Sequence, residues 1–260
     1  MSAKPLRQPR LEVLEPLDGD QPFPLPFTMA FQPIVDAGSR DVFAYEALVR
    51  GAGGEGALEV LAAVDRSNRR QFDQQCRTAA IAFATALGLK ATGAGLSINV
   101  MPNAVDDIGA CCGGMQAACD KAQIQPDRII FEFTEDEPVE DQGRVARLIR
   151  TYHENGFRVA IDDFGAGHSG LALLARLQPD IIKLDRELVR GLDEDRVRRA
   201  IVASIRRMCD ELGIVLVAEG IETPGEYACL RELGVSLLQG FLFARPEIGA
   251  LPKPAWPALR

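Results

Sequence analysis

At 260 residues, with 47% hydrophobic and 25% charged residues, the chain has the composition of an ordinary soluble globular protein and can bury a substantial core. Its net charge of −8 argues against non-specific binding to DNA, RNA or an acidic membrane, so an anionic substrate would need metal ions or a few placed cations. Six cysteines with no Cys-x-x-Cys pair argue against disulfides or a zinc site, and with only two histidines a histidine-rich metal site is excluded.

Residues 1 to about 25 are polar, end in Pro22, Pro24 and Pro26, and predict a flexible lead-in. They hold no apolar leader core, and no run approaches the roughly 18 apolar residues of a spanning helix, so a cytoplasmic location is expected. Phe27 to Val35 and Val42 to Val49 have β-type patterns and a connection short enough only for an antiparallel hairpin. A glycine-rich loop from Gly51 to Gly56 follows, then helix-period segments over about 57–66 and 69–87.

From there apolar runs alternate with helical patterns. The runs are Gly95 to Val100, Arg128 to Phe133, Arg158 to Asp162, Asp180 to Leu184, Ile214 to Ala218 and Ser236 to Leu242. Helices are predicted between them at about 104–121, 139–155, 171–176, 195–212 and 224–233. Strict alternation means a parallel sheet, and eight strands without a composition break predict one closed α/β barrel of the (β/α)8 TIM type, with an antiparallel first strand. The barrel is expected over residues 26–250 and a short tail over 251–260.

Reacting groups in such a barrel sit at the C-terminal strand ends. The polar residues found there are Glu46, Asn99, Glu132, Asp162 with Asp163, Lys183 with Asp185, Glu219 and Gln239. Period two puts Ile181, Lys183 and Asp185 on one face, and Val215, Val217 and Glu219 on one face. Taken singly, each suits a helix cap or a structural salt bridge. Taken together, several carboxylates at one mouth repel each other, and two divalent cations would relieve that repulsion. Oxygen ligands select hard ions, Mg²⁺ or Mn²⁺, and two such ions can activate a water and clamp a phosphodiester.

These residues lie within a series of motifs: Tyr45-Glu46-Ala47-Leu48-Val49-Arg50, Ser97-Ile98-Asn99, Phe131-Glu132-Phe133-Thr134-Glu135, Ile161-Asp162-Asp163-Phe164-Gly165, Ile182-Lys183-Leu184-Asp185, Ala218-Glu219-Gly220-Ile221-Glu222 and Gln239-Gly240-Phe241. In that order the set resembles the EAL-domain cyclic di-GMP phosphodiesterases over about residues 27–247. The resemblance implies hydrolysis of one phosphodiester bond of cyclic di-GMP to linear pGpG, with two Mg²⁺ or Mn²⁺ ions. By the same resemblance Glu46, Asn99, Glu132, Asp162 and Asp163 look like metal ligands. Glu222 is grouped with them in support of the site, as is Gln239, which is also placed near substrate. Lys183 looks like the group that positions the attacking water, with Asp185 beside it, and Glu219 is similar to the family's general base. Arg50 should meet a substrate phosphate. Glu135 corresponds to a loop anchor for Phe164 to Gly170, and a homodimer is implied.

The sequence departs from the common family pattern at three places. Gly51 to Gly56 replaces an aromatic and a longer loop, Val100-Met101 follows Asn99 in place of Leu-Ser, and His168 stands where tyrosine is common. Two other activities would use parts of the same set: a receptor that binds cyclic di-GMP without cleaving it, and a barrel enzyme forming a Schiff base on Lys183.

Overall fold

The protein is described here by a computed structural model covering residues 23–134, 142–167 and 170–257. The expectations for the segment before residue 23, for Glu135 and for His168 fall on residues outside these.

The chain opens as a hairpin of β1 (Phe27–Asp36) and β2 (Asp41–Gly51), antiparallel from Phe27 opposite Gly51 to Asp36 opposite Asp41. After α1 (Ala57–Leu61), α2 (Arg69–Ala86) and α3 (Leu89–Thr92), strands and helices alternate. They are β3 (Gly95–Asn99), α4 (Ile108–Ala122), β4 (Ile129–Thr134), α5 (Gln142–Glu154), β5 (Arg158–Phe164), α6 (Gly170–Leu177) and β6 (Ile181–Leu184). Then come α7 (Arg186–Val189), α8 (Arg196–Leu212), β7 (Val215–Ala218), α9 (Pro224–Glu232), β8 (Leu237–Leu238) and β9 (Glu247–Ile248). Strands β2 to β8 pair in parallel in sequence order. β1 closes the ring, antiparallel to β2 on one side and to β8 on the other, where Val35 faces Leu238. This is the closed barrel with an antiparallel first strand that the sequence predicts, and β9 adds a short antiparallel pairing on β1.

Apolar residues fill two shells. One lies between the barrel wall and its helices, in a cluster that includes Phe72, Met115 and Leu148 and another that includes Leu174, Val202 and Leu230. The other is inside the barrel: Ile34, Ala44, Ile130, Ala160, Ile181, Val217 and Leu237. Each of these inner residues stands two positions from a polar one on the same strand face. Ala44 precedes Glu46, Ile130 Glu132, Ala160 Asp162, Ile181 Lys183, Val217 Glu219 and Leu237 Gln239. On β1, which runs the other way, Ile34 follows Gln32. The apolar layer closes the barrel floor, and the polar layer sits on top of it.

Four boundaries differ from expectation. α1, expected to about residue 66, ends at Leu61. α4 begins at Ile108, because Pro102–Ala104 forms a 3-10 turn and Asp107 then caps the helix by accepting from the Ala110 N–H at 2.9 Å. β8 stops after Leu238, where Gly240 presses against the backbone of Ile221 and the chain turns. β5 runs past Asp162 to Phe164 through a bulge, with consequences for the site.

A Cβ added at Gly240 would stand 2.1 Å from the Ile221 carbonyl oxygen, whereas one added at Gly113, inside α4, would meet nothing within 4 Å. Gly240→Ala is therefore expected to destabilise the protein by about 1–3 kcal/mol. Gly113→Ala should stabilise it by about 0.5–1 kcal/mol. Urea midpoints at constant slope measure both.

Candidate active site

The polar layer converges on one ammonium. Lys183, 1% exposed, places Nζ 2.7 Å from Glu219 Oε1, 2.8 Å from Glu132 Oε1, 3.1 Å from Asp162 Oδ1 and 3.4 Å from Glu46 Oε2. Four strands, β2, β4, β5 and β6, and the residue just after β7 supply these five groups. Burial opposes the charge on Lys183, but Asp162, Glu132, Glu219 and Glu46 outweigh it and hold the ammonium protonated.

The carboxylates pay for their crowding in proton affinity. Burial, reinforced by Glu46 and Asp162 and only partly relieved by Lys183, pushes Glu132 up to about 8. Asp163 is raised to about 6 by burial, with Asp162 and Asp185 adding to it. Asp162 and Glu219 are raised for the same reasons, burial first and carboxylate neighbours second. These shifts describe a site with more negative charge than one ammonium can balance.

Adjacent residues of a strand point to opposite faces, yet Asp162 and Asp163 both belong to the site. The pairing of β5 with β6 shifts register between Ile161 and Phe164, and Asp163 takes a left-handed φ of 53°. The bulge turns the second carboxylate toward the first, a strained conformation of the kind that persists at functional sites.

Two triads of carboxylate oxygens result, each with its atoms within 4.8 Å of one another: Glu46, Glu132 and Asp162, and Asp162, Asp163 and Glu219. Asp162 is common to both. Glu132 Oε2 is buried with no hydrogen-bond partner among the described residues, an acceptor that a cation would satisfy. The donor set is all oxygen, which suits Mg²⁺, Mn²⁺ or Ca²⁺. The residues present therefore fit a hard divalent metal.

The remaining expected residues fall around this centre at different depths. Asn99, exposed at the end of β3, donates its amide to Glu46 Oε1 at 3.3 Å. Gln239 is buried and donates to Glu46 Oε2 at 2.7 Å. Asp185 is buried at the start of α7, where one oxygen accepts from the Glu187 N–H at 2.8 Å and the charge raises Asp163. Arg50 is half-buried near the end of β2 and donates to the Val49 carbonyl oxygen at 2.6 Å. Glu222 is exposed and belongs to neither triad.

Two contributors have no place in the sequence-based set. Ser97, fully buried, donates its hydroxyl to Glu132 Oε1 at 2.5 Å. Gln32, on β1 opposite Glu46, accepts from Gln239 Nε2 at 3.4 Å and donates to the Ala244 carbonyl oxygen at 3.0 Å. A polar residue two positions before Asn99, and a glutamine in an otherwise apolar opening strand, were the available signals.

A sequence profile described as EAL domain matches residues 26–246. The blue light- and temperature-regulated antirepressor BluF of Escherichia coli K12 is 35% identical over 232 residues, 88% of this chain and 56% of BluF. Other curated matches carry the name of cyclic di-GMP phosphodiesterase, some of them as probable, over less than half of this chain. The chain thus spans about half the length of BluF and a smaller share of those relatives. A crystal structure of a standalone EAL protein from Vibrio cholerae O395 in its c-di-GMP-bound form is similar at TM-score 0.84 and 44% identity, covering 89% of this chain and 97% of that one. BlrP1 of Klebsiella pneumoniae, in complex with manganese and cyclic di-GMP, is similar at TM-score 0.85 and 38% identity, covering 91% and 60%. BlrP1 has also been solved with calcium in place of manganese.

Replacing Lys183 by methionine removes the cation from among four carboxylates. In the presence of a chelator at pH 8 the variant is expected to lose about 3–5 kcal/mol of stability. The loss should shrink toward pH 5. Glu132 and Asp163 have folded values of about 8 and about 6, above the ordinary carboxyl range of about 4, so protonation favours the fold. Each withdraws stability as pH climbs from the ordinary to the folded value. Urea titrations at the two pH values measure the difference, and equal losses would contradict the electrostatic account.

Proposed function

This chain belongs to the EAL-domain family, and on that premise we propose that it hydrolyses one phosphodiester bond of cyclic di-GMP, yielding linear pGpG, with two divalent cations, Mg²⁺ or Mn²⁺. The observation that carries the proposal is the pair of carboxylate triads sharing Asp162 at the barrel mouth. Glu46, Glu132 and Asp162 would hold one ion, and Asp162, Asp163 and Glu219 the other; Asn99, whose amide nitrogen donates to Glu46, would add its carbonyl oxygen as a ligand, and Gln239 fixes the Glu46 carboxylate through a hydrogen bond. Glu222 as a ligand rests on the resemblance alone. Bound there, the ions would supply charge neutralisation of the phosphodiester and a water acidified toward neutral pH.

The chain's own groups account for the rest. Lys183, held protonated, orients the attacking water and keeps the carboxylates from collapsing outward or protonating together. Glu219, the most exposed of the four carboxylates around Lys183 at 17% side-chain exposure, takes a proton from that water. The water oxygen bonds to phosphorus as the bond to the 3′ oxygen breaks, and the departing oxygen takes a proton from solvent and leaves as a hydroxyl. Arg50 meets a phosphate oxygen, its guanidinium made less solvated by partial burial. Asp185 anchors the start of α7 beside Asp163. A homodimer and a cytoplasmic location go with this reading, and among the described residues no helix is long and apolar enough to cross a membrane.

A second reading, a receptor that holds cyclic di-GMP without cleaving it, draws support from BluF, whose name is that of an antirepressor. Chromatography of cyclic di-GMP after incubation with Mg²⁺, Mn²⁺ or chelator separates the two. Hydrolysis predicts pGpG in the metal lanes only, and a loss of at least about a hundredfold in Glu46→Ala and Glu219→Ala with the fold intact. Binding with no product in any lane would establish the receptor reading instead.

A further inference from the structure

Strand β3 sends two polar side chains into the barrel, Ser97 and Asn99, two positions apart on one face. On the neighbouring parallel strands β2, β4, β5 and β6 the residue two positions before the polar one is apolar: Ala44, Ile130, Ala160 and Ile181. Ser97 breaks that rule. In the strand register it pairs with Glu46 of β2 on one side and Ile130 of β4 on the other, and it is 0% exposed. A hydroxyl buried to that depth costs stability unless it is bonded, and this one donates to Glu132 Oε1 at 2.5 Å.

The two oxygens of Glu132 are served unequally. Oε1 takes both the Ser97 hydroxyl and, at 2.8 Å, the Lys183 ammonium, and two donors fill the two lone-pair positions of one carboxylate oxygen. Oε2 is buried and accepts from no group among the described residues. A serine that served only to satisfy a buried carboxylate would stabilise most on the bare oxygen. Here it doubles the cover of the oxygen that Lys183 already holds. We propose that Ser97 is a positioning residue, which with Lys183 clamps Glu132 by Oε1 and so reserves Oε2 as the ligand atom for a hard divalent cation. The clamp rests on the function proposed above in that a cation occupies the triad of Glu46, Glu132 and Asp162.

Lys183 cannot do this alone. The last torsion of a glutamate side chain is broad, so a carboxylate held at one point can still turn. The same ammonium also meets Glu46, Asp162 and Glu219, and its three N–H bonds are shared among four carboxylates. The Ser97 hydroxyl comes instead from the strand next door. β3 and β4 are in register there, with Asn99 opposite Glu132, so the backbone ladder fixes where the hydroxyl stands relative to the carboxylate. Without it, Oε2 is free to turn toward Lys183, and the cation loses a ligand already in place. Partners that orient a metal ligand in this way change metal affinity by about 10–100-fold.

Titration of the protein with Mn²⁺ at fixed pH and without substrate, followed by the electron paramagnetic resonance of the free ion, tests the clamp. In Ser97→Ala at least one binding step should weaken by about tenfold or more, with the fold intact by circular dichroism. Ser97→Thr, which keeps the hydroxyl, should bind as the wild type does, and a folded Ser97→Thr that binds as weakly as Ser97→Ala would contradict the role of the hydroxyl. In wild-type crystals soaked in Mn²⁺, Glu132 should meet the ion through Oε2 with Ser97 still on Oε1. An ion on Oε1, or equal Mn²⁺ affinity in wild type and Ser97→Ala, overturns the clamp and leaves the metal centre standing. A wild-type protein that binds no Mn²⁺ overturns the metal centre and the clamp together.

Discussion

The contact of one buried ammonium with four carboxylates is the constraint on which the site depends. At an effective dielectric of about 20, each contact near 3 Å attracts by about 5 kcal/mol, and carboxylates within 5 Å repel each other by more than about 3 kcal/mol per pair. Lys183 therefore roughly offsets the repulsion among Glu46, Glu132, Asp162 and Glu219 without removing it. The surplus negative charge is expressed in the raised proton affinity of Glu132 and Asp163. A cluster in that condition favours protons at low pH and divalent cations at high pH, so it is poised to bind metal where a fully neutralised salt-bridge network would not be.

The barrel makes such a concentration of charge tolerable. Ile34, Ala44, Ile130, Ala160, Ile181, Val217 and Leu237 form a closed apolar floor, and the polar side chains stand two residues above it. The strands are paired round the ring, and β2 to β6 and the residues just after β7 and β8 each bring a polar group to this level. The antiparallel first strand fits the same scheme in reverse, presenting Gln32 above Ile34. The one place where a strand must deliver two carboxylates is β5, and there the regular pairing is broken by a bulge with Asp163 at positive φ.

Period two and the alternation of apolar runs with helical ones made the barrel legible, along with the strand ends carrying Glu46, Glu132, Lys183 and Glu219. What the sequence concealed was of a different kind. Whether Asp163 joins Asp162 depends on a register shift between β5 and β6, which is a property of two strands and cannot be read from one. Ser97 and Gln32 matter through partners 35 and 207 residues away. Asp185 reads equally as a site residue or a helix cap, and the folded chain uses it as a cap that also faces Asp163.

The most direct measurement of the account is the location of bound Mn²⁺ in the intact protein, by anomalous diffraction from crystals soaked in the ion. Two peaks are predicted, one between Glu46, Glu132 and Asp162 and one between Asp162, Asp163 and Glu219, with the Asp162 carboxylate reaching both. A barrel mouth with no anomalous peak at saturating Mn²⁺, and Lys183 still holding all four carboxylates, would contradict the claim that the cluster is a metal centre.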